Sequence, residues 1–582
     1  MKKLRNIIPM LLFPIIILYL FEWYTHNPFT TMKIRIQLLN IVLFELIMAL
    51  LLFLFGKLKT ALRCQTILFM IIGLANYYVL EFRSAPIMPW DILSIGTAAS
   101  VANNFKYTLS KETVFVLIGF VILILLESKA TLGLKKDWRL RVGGVLASFA
   151  LLWGFTAMLH QDSTVARFKL YDKLFTPTVM SKRDGTAVAF LMELKYIVVE
   201  KPDGYNKEDA AALLASYDTN DTESTTRTPN IIVIMNEAFS DLSVLGDFET
   251  NEDYMPFLHS LMQEGTPNTI SGHLNVSVLG GNTANTEFEF LTGNTMAFLP
   301  QGSVAYQQYV KSNDYSIATY LKSKGYDTIA MHPYNASGWD RDKVYPLLGF
   351  DTFYSLKDWV NPVKIRKYVS DQSCYDKIIE LYEQKDANTP FFLFNVTMQN
   401  HSSYSEEYDN FHPDITVEGT NSKILPNYLS LIKLSDQALC NLIEYFSQAD
   451  EDTIIVFFGD HQPSNSVAAP VWKINGKSGD SLTEEEEARR YKVPFIIWAN
   501  YDIEAASNVE TSANYLGSHV LRAAGLPLYD YRNYLSQLEG QYPVLTAIRA
   551  ENAQGISTPV KDVKSTLQDY MTLQYYNIFS QK

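Results

Sequence analysis

NIIVIMN, residues 230–236, is an almost unbroken apolar run that closes on Asn236 and is followed at once by Glu237. A run this short, apolar and rich in β-branched residues reads as a strand buried on both faces, as in a parallel sheet. The pattern returns in DTIAMHP (327–333), PFFLFNVTM (390–398), TIIVFFGD (453–460) and VPFIIWAN (493–500). Helical stretches lie between these runs. DYMPFLHSLMQEG (253–265) and YSIATYLKSKG (315–325) each stop at a Gly, and NYLSLIKLSDQALCNLIEYFSQ (427–448) is long and amphipathic. Strands alternating with helices predict a mostly parallel sheet covered on both faces. In such sheets the functional groups gather beyond the carboxyl ends of the strands.

Those ends carry chemistry. Asn236 and Glu237 follow the first run; His332, then Trp339 and Arg341, follow the second. Asn400 and His401 follow the third, and Gly459, Asp460 and His461 close the fourth. Glu237, Asp460 and His461 form a carboxylate and imidazole set without a thiolate. Such a set suits Mn²⁺, Mg²⁺ or Zn²⁺ and leaves a coordination position open. A hydroxyl in that position becomes a nucleophile near neutral pH. LGGNTANTEFEFLTGN (279–294) offers three, on Thr283, Thr286 and Thr292. Gly280 and Gly281 allow a tight turn. TEFEFL can begin a helix, and the N–H groups of a helix start favour an incoming phosphate.

Hydrophobicity is uneven along the 582 residues, which are too many for one compact core. Five apolar runs occupy residues 7–21, 38–55, 67–80, 113–126 and 143–159. With flanking residues, each is long enough to cross a bilayer. Lys2, Lys3 and Arg5 precede the first run. Lys57, Lys59 and Arg63 lie between the second and third, and Lys129, Lys135, Lys136, Arg139 and Arg141 between the fourth and fifth. The positive-inside rule puts the N-terminus in the cytoplasm and, with five spans, everything after about residue 160 outside. The expected division is a transmembrane bundle over 1–160, a juxtamembrane connector over 161–228, a catalytic domain over 229–540 and a tail over 541–582. The loop at 81–111, with Trp90 and Asp91, reads as an interfacial segment, and YDTNDTESTTRTPN (217–230) as a domain boundary. FKLYDKLF and AVAFLMELKYIVV, within the connector, read as helices lying on the membrane. A net charge of −13 excludes a general nucleic-acid binder. Three scattered cysteines exclude a zinc finger or a disulfide scaffold, and no phosphate-binding G-x-x-x-x-G-K-[ST] loop occurs.

The ordered set NIIVIMNE, GGNTANTEF, HPYNASGWDRD, NH and FFGDH, behind five apolar spans, resembles the lipoteichoic acid synthase family of the alkaline-phosphatase/sulfatase superfamily. The resemblance covers nearly the whole chain. It implies a five-helix transmembrane bundle joined to a sulfatase-like α/β domain. By the same resemblance Glu237, Thr283, Asp460 and His461 are metal positions, usually filled by Mn²⁺. Thr283 is the nucleophile in the frame of Gly281, Thr283, Glu287 and Phe288, which leaves Thr286 and Thr292 to capping or surface roles. His332, Trp339, Arg341 and His401 match the pocket for glycerol phosphate, with Arg341 on the phosphate and His401 as the proton carrier. The implied reaction moves phosphoglycerol from phosphatidylglycerol to a glycolipid or polyglycerolphosphate chain, outside the cell membrane of a Gram-positive bacterium. Alternatives are transfer of phosphoglycerol or phosphoethanolamine to another surface glycan or lipid, and sulfatase action. This chain departs from the synthases at Tyr334, where they carry an acid, and in reading GWDRD before and around the Arg.

Overall fold

The computed structural model describes residues 4–83, 86–92, 108–134, 137–171, 177–196, 198–199, 201–218, 227–300, 303–311 and 315–580. The chain forms two compact units, one ending at Val198 and one beginning at Val199. Parts of the expected interfacial loop (84–85 and 93–107) and of the expected domain boundary (219–226) lie outside the described residues.

In the N-terminal unit all five apolar runs are helical: α1 (Leu4–Glu22), α2 (Ile34–Phe55), α3 (Leu58–Arg83), α4 (Lys111–Glu127) and α5 (Trp138–Leu159). Three are long and apolar enough to cross a membrane, namely α2, the Leu58–Glu81 part of α3, and α5. The apolar part of α1, Ile7–Glu22, is shorter, and α4 has 17 residues. These helices are apolar all round because they face each other on one side and lipid on the other. Phe44 packs on Phe69 at 4.3 Å and Phe21 on Phe69 at 5.1 Å, whereas Phe115, Leu146 and Trp153 point outward and exposed. The protein is a membrane protein. Besides a single turn at Pro28–Thr31, this unit holds the shorter helices α6 (Asp162–Phe168), α7 (Pro177–Asp184) and α8 (Thr186–Glu193).

The C-terminal unit is built on an eight-stranded sheet: β1 (Asn230–Asn236), β2 (Thr269–Asn275), β3 (Asp327–His332), β4 (Thr352–Ser355), β5 (Phe391–Val396), β6 (Thr453–Gly459), β7 (Lys492–Ala499) and β8 (Ala506–Ser512). The spatial order is β8-β2-β7-β6-β1-β5-β3-β4. β7 runs antiparallel to both neighbours and every other pairing is parallel. The carboxyl ends of β1, β3, β5 and β6 therefore share one edge. Alternation along β1 sends Ile231, Val233 and Met235 into one core and Ile232 and Ile234 into the other. The first core is covered by α9 (Thr283–Thr292) and α12 (Ala513–Ala523), and the second by α10 (Asp371–Gln384) and α11 (Ile424–Phe446). Burial on both faces is why β1 needs an unbroken apolar run.

β2, β4 and β8 were not expected from sequence. TISGHLN, TFYS and ASNVETS are polar or short; β4 and β8 are the edge strands, with partly exposed side chains, and β2 is a largely buried strand beside β8. At Gly272 a Cβ would come within 2.0 Å of the Val509 carbonyl oxygen, so β2 and β8 pair only with Gly there. Residues 541–580 are folded. They make a three-stranded sheet and a final helix, α13 (Gln568–Phe579), whose Gln574 accepts from Thr295 N–H at 2.8 Å and donates to its carbonyl at 2.9 Å.

Candidate active site

The turn before α9 takes the form that its glycines allow. Gly280, Gly281 and Asn282 all have positive φ (67°, 153° and 65°). The helix then starts at Thr283, whose Oγ1 donates to Asp460 Oδ2 at 2.7 Å. Asp460 Oδ1 accepts from the backbone N–H of Ala238 at 2.7 Å and of His461 at 2.8 Å, so the carboxylate is held at both oxygens. Glu237, Asp460 and His461 are buried, with one ligand-type atom of each within 4.8 Å of the others.

His461 gives the test of whether this set fits a cation. Its Nδ1 lies 2.9 Å from the Gln462 carbonyl, which can only accept, so Nδ1 carries the proton. The lone pair of Nε2 then points at Asp460 Oδ2 (3.2 Å) and Glu237 Oε1 (4.0 Å), and no hydrogen-bond donor reaches it. A buried lone pair facing two carboxylates is repulsive unless positive charge sits between them. Burial, then the neighbouring Asp460 carboxylate, pushes Glu237 well above the usual carboxylate range, with Arg341 opposing. Burial also raises Asp460, against His461 and the Thr283 hydrogen bond. The residues present fit a divalent cation.

Thr286 and Thr292 are buried rather than at the surface. Thr286 Oγ1 donates to the Asp460 carbonyl at 2.8 Å and fixes the metal-ligand loop to α9, while Thr292 Oγ1 donates to the Phe288 carbonyl at 2.6 Å. Thr286 sits one helical turn beyond Thr283, which brings its hydroxyl to the same loop.

Arg341 is buried and forks onto Glu287 through Nε (3.1 Å to Oε1) and Nη2, and Tyr345 OH adds a bond to Glu287 at 2.7 Å. Its charge is thus directed at a carboxylate, where the sequence reading had it directed at phosphate. It still acts electrostatically on both Glu237 and His332. Trp339 and Asp340, just before it, both hold left-handed φ (57° and 59°), a strained pair that leads into the helix beginning at Arg341. Trp339 is half-buried against the first core. His332 Nδ1 bonds the Val396 carbonyl at 3.0 Å, and burial, then Arg341, hold its pKa well below normal. His401 Nδ1 lies 2.9 Å from the Ser402 carbonyl and 3.1 Å from Tyr368 OH. Burial lowers His401 to about 4, so the ring is neutral near pH 7.

Four functional supports escaped the sequence reading. Asp371 opens α10 fully buried and accepts from Asn236 Nδ2 (2.7 Å) and Ser435 Oγ (2.6 Å), bracing the residue before Glu237. Arg366 donates to the carbonyls of Gln399, His401 and Ser403. The Gln462 carbonyl also accepts from Gly280 N–H at 3.0 Å, joining the metal loop to the Thr283 turn. Arg490, buried and stacked on Trp472, holds Gln462, Pro463 and Asn465. No short motif marks any of the four. They meet only in three dimensions.

An α/β sheet that collects two carboxylates, an imidazole and a helix-initial threonine at one carboxyl edge defines the alkaline-phosphatase class of fold. The chain belongs to the sulfatase family, whose model matches residues 229–526, just over half of its length. A Rhizobium meliloti protein named for cyclic β-1,2-glucan modification is 28% identical over 459 residues, covering 77% of this chain and 70% of that protein. Lipoteichoic acid synthase 1 of Bacillus subtilis is 26% identical over 275 residues, 46% of this chain and 41% of the synthase. The fold matches that of the Streptococcus pyogenes phosphoglycerol transferase GacH, solved in complex with sn-glycerol-1-phosphate. The TM-score is 0.53 at 23% identity, over 65% of this chain and 94% of that one.

Proposed function

We propose that the protein transfers phosphoglycerol from phosphatidylglycerol to an acceptor hydroxyl through a covalent intermediate on Thr283. The acceptor is a lipoteichoic acid-type polyglycerolphosphate chain or a glycolipid. The observation that carries this reading is the Thr283 hydroxyl at a helix start, 2.7 Å from Asp460 and beside Glu237 and His461. The lipoteichoic acid synthases among the relatives support it, and the glucan-modification relative extends the acceptor class to sugar hydroxyls.

Glu237, Thr283, Asp460 and His461 would hold a divalent cation, Mn²⁺ first and Mg²⁺ or Zn²⁺ as alternatives. Once bound, it supplies positive charge that lowers the hydroxyl pKa and offsets charge on the phosphate oxygens. Thr283 Oγ1 attacks phosphorus: the Oγ–P bond forms and the bond to the diacylglycerol oxygen breaks, that oxygen leaving with a proton. The Thr283 proton has an acceptor already in place at Asp460 Oδ2. With Nδ1–H given to the Ser402 carbonyl, His401 carries its lone pair on Nε2. The neutral ring therefore suits the second half, in which it takes the acceptor's proton as that hydroxyl attacks phosphorus: the acceptor O–P bond forms, the Thr283 Oγ–P bond breaks, and Thr283 regains the proton held at Asp460 Oδ2. Donating to the diacylglycerol oxygen in the first half requires a higher ring pKa, which an adjacent phosphate anion provides. Trp339 and His332 frame the glycerol, and the Arg341–Glu287 pair sets the field beneath the phosphate.

The test uses full-length protein with headgroup-labelled phosphatidylglycerol or phosphatidylethanolamine. Diacylglycerol release from the first, dependent on added Mn²⁺, with a glycerophosphoryl adduct on the Thr283 peptide, is the expected result. Equal release by Thr283→Ala would overturn the reading. An ethanolamine-phosphate adduct would reassign the donor.

A further inference from the structure

Residues 357–364, KDWVNPVK, take no part in the chemistry above. Within them Val360 is 89% exposed and Val363 66% exposed, more than any other large apolar side chain described in the C-terminal unit. The turn that carries them is anchored. Trp359 packs on the second core, Val363 N–H donates to Ser373 Oγ at 3.0 Å, and the Val363 carbonyl accepts from Ser370 N–H at 2.9 Å. Asn361 turns the chain with φ 51°. Two valines are thus held outward on a fixed turn, where water contact is unfavourable and a covering surface would be favourable.

Charge points to the covering surface. Lys357 and Lys364 flank the valines, both exposed, and neither is in an ion pair among the described residues. Asp358, the acid within the turn, is engaged in accepting from Ser355 N–H at 2.8 Å. A chain of net charge −13 is repelled as a whole by an anionic bilayer, yet this turn presents an apolar tip between two ammonium groups. That is the composition of an interfacial anchor, with apolar side chains at the acyl boundary and lysines at the phosphate level. An acidic segment with Glu406, Glu407 and Asp409 borders the base of the hairpin through Asn410, which donates to the carbonyls of Lys364 and Arg366. Lipid charge therefore has to be varied in the test.

We propose that the 357–364 turn dips into an anionic phospholipid surface, with Val360 and Val363 inserted and Lys357 and Lys364 on lipid phosphates. The same hairpin carries Tyr368, 3.1 Å from His401 Nδ1, and Arg366, which clamps the carbonyls around His401. Insertion would bring the His401 side of the site to headgroup level.

The experiment places full-length protein in lipid discs and puts an environment-sensitive fluorophore on Val360→Cys, with Cys64 and Cys440 changed to Ser. Cys374 is buried. The expected result is a blue-shifted label, quenched by spin-labelled lipid in discs containing phosphatidylglycerol. Quenching should fall by at least half in phosphatidylcholine discs, and likewise when Lys357→Glu and Lys364→Glu are combined. A label reached only by aqueous iodide in every disc overturns the proposal. Protection that appears only with cross-linked dimers also overturns it, because a second copy would then be the cover. The readout is position rather than turnover, so it stands even if the transfer reading fails.

Discussion

Glu287 and Arg341 show what a single pair of residues decides in this site. Both are fully buried, and their mutual charge is what makes either tolerable there. Arg341→Met should destabilise the unit by about 3–5 kcal/mol, because it strands the Glu287 carboxylate. Combining it with Glu287→Gln should recover most of that loss in denaturant unfolding. If the double variant regains stability but not turnover, Arg341 also serves the phosphate. If both return, its role is structural. A second residue, His259, governs pH behaviour away from the site. The Asp241 carboxylate at 3.5 Å, with Asp253 at 2.8 Å, raises it to about 9 against partial burial. The folded pKa exceeds the unfolded one, about 6.5, so this stabilisation is complete below that value and fades as pH rises through about 9. His259→Gln should therefore lower the melting temperature near pH 6 and converge with wild type above about pH 9. A constant offset across that range would sink the assignment.

Helix α9 is the element on which the site depends, because its first residue is the candidate nucleophile and its body is core. Phe290 stacks on Phe394 of β5 at 5.8 Å and meets Phe458 of β6 at 5.3 Å. Phe290→Ala should cost about 3–5 kcal/mol in chemical unfolding. It should also reduce turnover in the surviving folded fraction, since the Thr283 hydroxyl would lose its fixed distance from Asp460. A variant that loses stability with unchanged turnover per folded molecule would show that the turn at 280–282 alone positions Thr283. At this level the sequence was most readable where burial is two-sided. β1, β3, β5, β6 and β7 announced themselves as apolar runs, and the polar residues directly after four of them meet at one edge. It was least readable where pairing rather than composition makes the strand, as in ASNVETS. The supports Asp371, Arg366, Gln462 and Arg490 were hidden for a related reason. Their value lies in hydrogen bonds to residues 25 or more positions away, which leave no periodic trace. Arg490 sits in EEEEARRYK (484–492), a charge-rich stretch whose composition alone suggests surface. Its burial on Trp472, which lowers its pKa to about 10, follows from a loop closure that no local pattern encodes.

For the whole molecule the open quantity is the number of membrane crossings, and charge decides between two counts. Among the described residues three helices meet the length and hydropathy needed to span. If α1 and α4 also cross, there are five spans. Both counts are odd, so both put the C-terminal unit on the face opposite the N-terminus, and its position alone cannot separate them. The loops can. With five spans and a cytoplasmic N-terminus, the α1–α2 connection lies outside and the α2–α3 connection, with Lys57, Lys59 and Arg63, lies inside. With three, the two connections exchange sides and that basic cluster faces outward, against the charge bias that sets topology. The basic cluster between α4 and α5 is cytoplasmic either way and does not discriminate. Five spans are therefore expected. In intact cells, with Cys64 and Cys440 changed to Ser, a membrane-impermeant maleimide should label Thr30→Cys and Gln161→Cys but leave Lys57→Cys unlabelled until the membrane is opened. Labelling of Lys57→Cys together with protection of Thr30→Cys would establish three crossings and leave α1 and α4 as helices packed within the bundle or at its surface.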